Sequence, residues 1–473
     1  MNLALAFKRR RPFGLRGSLL GLSALLVGTL FSSACTTTDP KEHFVASDNG
    51  NASGGKTGSG GATNGPGGAG PGTGGAASGD GGGIGVGSGG KTATGGAASG
   101  GSTNGIECGA PPVKEGTFSR AALRSAAAEC SLWNFCEFEA TAAALEASVA
   151  AYAEDRSAKK LAAARDRFRE AMLVWSRLEA FQFGPLAETT MDVYQGQDLR
   201  AAIYYWPKAA RCRVEEQLVS QKYLQSGVGS VLVTARGLTA LEYLLFYEES
   251  DTACLAVTAA AKAWAQLPAE EIESRKVSYA VALAADLRAQ AENLSRAFGE
   301  AGKAYHDKFV NVAAHPSVYP NEQEAMNVLA WALIYVEREV KDWKLGVPAG
   351  YTQNALVTQE TPYAQLATES LRANLRGFRA LFVGCGENGE GIGFDDWLRA
   401  VGQEQLADDM IDAYENAQSV FDALPPFHQA TPAQIEEAYR AIKGLTDLLK
   451  ADFFGAGSAL NLKLPATLEG DND

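Results

Sequence analysis

The sequence predicts an all-α fold made of helical bundles. Between about residues 108 and 465, apolar side chains recur at spacings of three and four, which is the period of an amphipathic helix. No series of alternating strands joined by hairpin turns is visible in this region, and the region is long enough for two hydrophobic cores. The helical pattern is clearest in seven segments: 121–153, 161–183, 277–298, 325–343, 366–382, 406–424 and 433–454.

Helix-start signals agree with this pattern. Thr431 and Gln434 have the spacing of a capping box, with a proline in the first turn. Glu270 and Glu271 follow Pro268, where carboxylates are favoured by the positive end of a helix dipole. These signals predict helices that begin close to residues 269 and 432.

The N-terminus predicts export. The first 34 residues hold five Lys or Arg and no acidic residue, and their apolar run, 19–31, is shorter than the roughly 20 residues that cross a bilayer. We therefore predict a signal peptide at 1–34. The context of Cys35 resembles a bacterial lipobox, which predicts a lipid anchor on this cysteine; ordinary cleavage that leaves a thiol is the alternative. Thr36 stands where an inner-membrane lipoprotein usually has Asp, so we expect an outer-membrane lipoprotein facing the periplasm or the cell surface.

Residues 35–106 predict a flexible tether, because Gly, Ser, Ala, Thr and Asn cannot bury enough apolar surface to fold. Its roughly 55 low-complexity residues would give a reach on the order of 40 Å. Two stretches, 50–57 and 85–92, match the phosphate-binding pattern G-x-x-x-x-G-K-[ST]. Neither follows a strand or opens a helix, so we predict no nucleotide site.

Charge and cysteine content limit the possible functions. The net charge is -13 and becomes more negative once the basic signal peptide is removed, so nucleic-acid binding is not expected. Apart from Cys35 there are six cysteines and no C-x-x-C pair, which favours structural disulfides over a zinc or redox centre. The sequence leaves all 15 pairings open. The six are Cys108, Cys130, Cys136, Cys212, Cys254 and Cys385.

Catalytic patterns are scarce. The four histidines never occur in H-x-x-E, E-x-x-H or H-E-x-x-H spacing, and no G-x-S-x-G stands between a strand and a helix. One carboxylate is nevertheless conspicuous, because Glu242 lies in the apolar helical stretch 236–246 and needs a partner if it is buried. The candidate partners are Arg177, Arg200, Arg236 and the hydroxyl of Thr239.

Several segments resemble the imelysin family of exported bacterial proteins, whose signature is G-x-H-x-x-E followed by an apolar run. The signature corresponds to Gly237, Thr239 and Glu242. Four further segments resemble the family in the same order along the chain, and the resemblance covers most of 118–462. They are 171–185, with Trp175, Arg177 and Glu179; 203–207, with Trp206; 343–346; and 370–378.

The resemblance implies that 107–466 folds into two bundle-like subdomains, with a boundary near 250–320 and the signature helix close to the cleft between them. It also implies a lipoprotein linked to iron uptake, in a family that carries an older label as metallopeptidases. The named motif and cleft residues are Trp175, Arg177, Glu179, Trp206, Gly237, Thr239 and Glu242.

One departure from the signature affects the expected chemistry. Thr239 replaces the family's histidine, and a neutral hydroxyl is a poor ligand for iron or zinc. A metal bound by Glu242 would need other ligands, such as Glu179 or Asp192. We therefore predict a tethered binding protein for iron, haem or an envelope protein partner. The alternative is an imelysin-type metallopeptidase in which Glu242 acts as ligand or general base.

Overall fold

The computed structural model describes residues 106–299, 305–353, 359–455 and 457–465, and these residues contain helices and loops but no β-strand. The all-α prediction is confirmed. The helices are α1 Arg120–Glu154, α2 Ala158–Leu178, α3 Arg200–Ile203, α4 Arg211–Ser220, α5 Lys222–Ser226, α6 Gly237–Phe246, α7 Ala259–Trp264, α8 Ala269–Gly299, α9 Tyr305–Val310, α10 Glu322–Trp331, α11 Val347–Ala349, α12 Ala367–Phe382, α13 Phe394–Ala400, α14 Glu404–Ala423 and α15 Pro432–Leu448. A π-helical segment, Val336–Gly346, leads into α11, and a second one, Leu449–Phe453, continues α15.

The long helices pack in two groups. In the first group, α1 packs along α2 and α8, and α6 packs against α8. In the second, α14 packs against α12 and α15, and the segment Val336–Gly346 packs against the same two helices. Helix α2 also packs along α12, so one continuous hydrophobic core extends through both groups. The subdomain boundary near 250–320 stays a prediction.

The predicted helix starts are present. The hydroxyl of Thr431 accepts the Gln434 N–H, and the Gln434 side chain accepts the Thr431 N–H, which is the predicted capping box. Helix α8 begins directly after Pro268, with Glu270 and Glu271 in its first turn. Local sequence therefore determines where these helices begin.

Three disulfides connect the six cysteines, as the sequence predicted without assigning the pairs: Cys108–Cys136, Cys130–Cys385 and Cys212–Cys254. The second bond joins α1 to the segment after α12 across a sequence separation of 255 residues. Closing so long a loop removes chain entropy from the unfolded state, which stabilises the fold by on the order of 5 kcal/mol in a chain-entropy treatment.

No helix among the described residues is long and apolar enough to cross a membrane. The predicted signal peptide, Cys35 and nearly all of the linker lie outside the described residues.

Candidate functional site

The signature helix α6 begins at a glycine for a steric reason. Gly237 has a φ of +73°, and a Cβ at this position would lie 2.3 Å from the carbonyl oxygen of Ile203. Any side chain would push α3 away from the start of α6, and a positive φ is itself unfavourable for other residues. Gly237 therefore lets α6 begin against the end of α3, close to Trp206.

Glu242 is buried, with 3% of its surface exposed. Its Oε1 accepts the backbone N–H groups of Tyr363 and Ala364, each at 2.8 Å. Burial is the largest influence on its pKa and raises it to about 7, although the two N–H groups act in the opposite direction and Glu360 adds a further increase. The carboxyl of Glu242 therefore changes its charge close to neutral pH.

The prediction that an arginine pairs with Glu242 is wrong, because each of the three candidate arginines binds other residues. Arg236 forms a bidentate ion pair with Asp286, in which Nη2 of Arg236 lies 2.6 Å from Oδ1 of Asp286. The Nε of Arg177 donates to Asn134 at 2.6 Å. The other candidate, Arg200, pairs with Glu179 and Glu188. The hydroxyl of Thr239 has no hydrogen-bond partner among the described residues, so it does not bind Glu242.

Residues 359–364 are held from two sides. The backbone at 363 and 364 donates to Glu242, while the side chain of Glu360 accepts from Lys344 Nζ and from the Tyr204 hydroxyl, each at 2.8 Å. Thr361 between them has a φ of +44°, which is rare for a residue with a side chain. The strained turn persists because contacts on both sides define its path.

The ammonium group of Lys344 is the centre of a buried network. Its Nζ lies 3.0 Å from Glu179 Oε2, 2.8 Å from Glu360 Oε1 and 2.9 Å from Asn374 Oδ1. Burial disfavours the charge of Lys344, but the adjacent carboxylates Glu179 and Glu360 outweigh this effect and raise its pKa. Glu179 also faces Arg200, so each of the two buried carboxylates has at least one cation beside it.

The remaining predicted site residues separate in space. Trp175 is fully buried and contacts the rings of Phe138 and Tyr204, so it belongs to the core. Glu179 belongs to the Lys344 network. Arg177 packs over the ring of Trp133 and lines a different pocket. Only Trp206 lies with Thr239 and Glu242 around one cavity.

This cavity, called here the Glu242 cavity, has a volume of about 260 Å³. Its walls come from α6, the segment 206–214 and the segment 359–363. The aromatic rings of Trp206, Tyr243 and Tyr363 form much of the lining, and Arg211 contributes a guanidinium that is paired with Glu215. The indole N–H of Trp206 and the hydroxyl of Thr239 both lack a hydrogen-bond partner among the described residues. The Trp206–Pro207 peptide bond is cis.

The residues around Glu242 do not fit a bare zinc or iron ion. Nowhere in the described ranges do three or more His, Cys, Asp or Glu side chains come together in an arrangement that could hold a metal. Glu179 is bound to Lys344, and Asp192 accepts the Tyr319 hydroxyl and three backbone N–H groups. Neither residue lines the Glu242 cavity. Thr239 supplies only a neutral hydroxyl.

Comparison with known protein families identifies the family of this chain. The family model described as Imelysin (Peptidase_M75) matches residues 134–451. The chain belongs to the imelysin family. The resemblance predicted from the signature segments is therefore confirmed, and the match includes α6 and the segment 359–364.

Two solved structures share the imelysin fold with this chain. One is an imelysin-like protein from Psychrobacter arcticum, with 13% sequence identity and a TM-score of 0.53; the similarity covers 73% of this chain and 96% of that one. The other is described as a "putative iron-regulated protein A precursor" from Parabacteroides distasonis, with 15% sequence identity and a TM-score of 0.53. The similarity covers 72% of this chain and 96% of that one. A comparison with curated proteins finds no match.

Sequence reasoning missed the partners of the imelysin signature. Lys344 lies within a segment that resembles the family, but its charge alone does not reveal that two distant carboxylates surround it. Tyr363 and Ala364 act through backbone N–H groups, which leave no trace in residue type. Residue type gave no warning of this, because the segment Val336–Gly346 holds six charged side chains and lysines are mostly exposed.

Proposed function

We propose that this imelysin is an envelope-anchored binding protein that serves iron acquisition by holding a small oxygen-bearing ligand, the size of a single chelating group, in the Glu242 cavity. The observation that carries the proposal is the pair of unpartnered polar groups in the cavity lining, the indole N–H of Trp206 and the hydroxyl of Thr239. Each group would cost about 1–3 kcal/mol if it stayed buried and unpaired. A ligand with oxygen acceptors would remove that cost.

The shape and lining of the cavity support a small ligand. Aromatic walls with a few polar groups are typical of small-molecule sites. The volume of about 260 Å³ lies just below the range of roughly 300–1,000 Å³ found for drug-sized ligands. This size favours a ligand smaller than haem, which the sequence left as one possibility.

The geometry gives less support to a metallopeptidase. Its favourable feature is the pKa of Glu242, which at about 7 would suit a general base. However, Oε1 of Glu242 already accepts two backbone N–H groups, and the position of the motif histidine is occupied by Thr239. A general base also needs a polarising group beside the substrate, and the described residues offer no metal-binding set for that role.

The link to iron and to the envelope rests on separate support. The Parabacteroides distasonis relative carries a name that refers to iron regulation and to a precursor form. The first 34 residues have the pattern of a signal peptide, and Cys35 has the context of a lipid attachment site. A lipoprotein cysteine with several acyl chains would anchor the protein, because one chain alone binds membranes only marginally.

Calorimetric titration of the full chain tests the proposal. The probes are 2,3-dihydroxybenzoate with and without ferric ion, zinc chloride, ferrous sulfate and haem. We expect the catechol or its ferric complex to bind, and Trp206→Phe and Thr239→Val each to weaken binding roughly tenfold, since each removes one hydrogen bond. The matched control is Trp331→Phe, because the indole N–H of Trp331 bonds to the Lys463 carbonyl away from the cavity.

Two results would contradict the proposal. Binding that is unchanged in both Trp206→Phe and Thr239→Val would mean that the cavity is not the site. Tight binding of zinc or ferrous ion that disappears in Glu242→Gln would indicate a metal site, and peptidase assays would then be the next step. Titration of Thr239→His with zinc shows separately whether restoring the signature histidine creates a metal site.

A further inference from the structure

A second pocket, called here the arginine pocket, lies between α1, α2, α12 and the loop after α12. It has a volume of about 440 Å³ and shares no lining residue with the Glu242 cavity. Three arginines line it, Arg177 from α2 and both Arg376 and Arg379 from α12, together with the indole of Trp133. Three guanidinium groups therefore surround one pocket, although the chain as a whole has a net charge of -13.

Arg177 is the inner member of this group. Its guanidinium carbon lies 4.4 Å from the ring centroid of Trp133, and its Nε donates to Asn134 Oδ1 at 2.6 Å. Its Nη2 is buried and has no hydrogen-bond partner among the described residues. Burial lowers the pKa of Arg177 to about 10, which still leaves the side chain positively charged at neutral pH. The side chain is thus fixed on two sides, with one N–H group unused.

The arginines of the pocket form no ion pairs with carboxylates of the described residues. Within the part of the chain that the structure describes, no carboxylate lies within 4.0 Å of Arg177, Arg376 or Arg379. Among the described residues, Arg379 donates to the backbone carbonyl of Glu387 and to no carboxylate. Two acidic side chains, Glu137 and Glu387, line the pocket against three arginines, so its lining carries a net positive charge.

The fold holds this arrangement in place. A Cβ at Gly377 would lie 2.1 Å from the carbonyl oxygen of Arg177, so α2 and α12 touch at this point and bring Arg177 close to Arg376. Two disulfides fix the rim of the pocket covalently. Cys108, next to the lining residues 109–111, is bonded to Cys136 of α1. Cys385, within the lining segment 384–387, is bonded to Cys130 of α1. A preorganised pocket loses less entropy when a ligand binds.

We propose that the arginine pocket binds a compact oxyanion, a carboxylate or phosphate group, with Arg177 and Arg376 as its main contacts. Guanidinium groups match the two oxygens of these anions with parallel N–H donors. The unused Nη2 of Arg177 supplies an inner donor, and Arg376 is exposed at the mouth of the pocket, where an anion can enter. This site is independent of the Glu242 cavity.

The test is calorimetric titration of the full chain with sodium phosphate and with sodium malonate at neutral pH and low salt. The two probes distinguish a phosphate from a carboxylate source of the same oxyanion chemistry. We expect at least one probe to bind, and Arg376→Gln to weaken that binding at least tenfold, because a charge-assisted contact is lost. Arg376 is exposed, so this variant keeps the fold.

Matched variants give the comparison. Arg213→Gln removes the same charge from exposed α4, where Arg213 pairs with Glu216, and should change oxyanion binding less than twofold. Trp206→Phe should leave oxyanion binding unchanged, so failure of the Glu242 cavity proposal is distinguishable from failure of this one. Two results would overturn the inference: no binding of either probe by the parent, or equal weakening by Arg376→Gln and Arg213→Gln, which would indicate general charge screening.

Discussion

Glu242 Oε1 lies 2.8 Å from the backbone nitrogen of Tyr363, although the two residues are 121 positions apart in the chain. The same oxygen accepts the N–H of Ala364. One carboxylate on α6 therefore fixes the path of the segment 359–364, which forms a wall of the Glu242 cavity. In this imelysin the signature glutamate has a structural task that does not depend on a neighbouring histidine.

Glu242→Ala should destabilise the protein by about 2–4 kcal/mol, because it leaves the N–H groups of Tyr363 and Ala364 without an acceptor. Glu242→Gln should cost much less, since its amide oxygen can still accept. Urea unfolding at pH 6 measures both. Glu436→Ala, at an exposed pair with Arg440, is the control and should stay within about 0.5 kcal/mol of the parent. Equal losses in the Ala and Gln variants would contradict the structural role.

Stability should depend on pH through Glu242. Its pKa rises from 4.5 to about 7 on folding, so between these values the folded state binds more protons than the unfolded state. Stability from this group therefore falls as pH rises through that window, by about 3 kcal/mol when the full shift is realised. The free energy of unfolding at pH 5 and pH 7.5 measures the fall, and Glu242→Gln should remove this part of it. An unchanged pH dependence in Glu242→Gln would contradict the shift.

Lys344→Met should destabilise the protein by about 3–5 kcal/mol, because Glu179 and Glu360 would remain buried without the cation between them. Adding Glu360→Gln to Lys344→Met should recover part of the loss, since one buried charge is removed. Urea unfolding of the single and double variants tests this coupling. Lys159→Met on the exposed start of α2 is the control. A double variant less stable than Lys344→Met would argue against charge balance as the cause.

Gly377→Ala should destabilise the protein by about 1–3 kcal/mol, because the added Cβ would lie 2.1 Å from the Arg177 carbonyl and force α2 and α12 apart. Gly444→Ala is the matched control within α15, where a Cβ meets no atom within 4 Å, and should stabilise the helix by up to about 1 kcal/mol. Thermal unfolding compares the two. Similar effects of both substitutions would contradict close packing at Gly377.

The sequence predicted what depends on local pattern and missed what depends on distant contacts. Helical periodicity and the capping box at Thr431 were sufficient to place the helices, because both act within a few residues. The need of Glu242 for a partner was also correctly predicted. The predicted identity of that partner was wrong, because the actual partners are backbone N–H groups more than a hundred residues away, and residue type does not reveal them. For the same reason Arg177, grouped by its motif with Glu242, lies in another pocket.

Two disulfides lie beside the arginine pocket, so the rigidity of its rim depends on cysteine oxidation. Hydrogen bonds from Trp133 to the Gly109 carbonyl and from Arg379 to the Glu387 carbonyl also hold the rim, but its covalent links to α1 exist only once Cys108–Cys136 and Cys130–Cys385 have formed. A reduced chain therefore has the same charges without the covalent links of the rim. Oxidation would then preorganise the pocket, and the oxidised chain would bind oxyanions more tightly than the reduced chain.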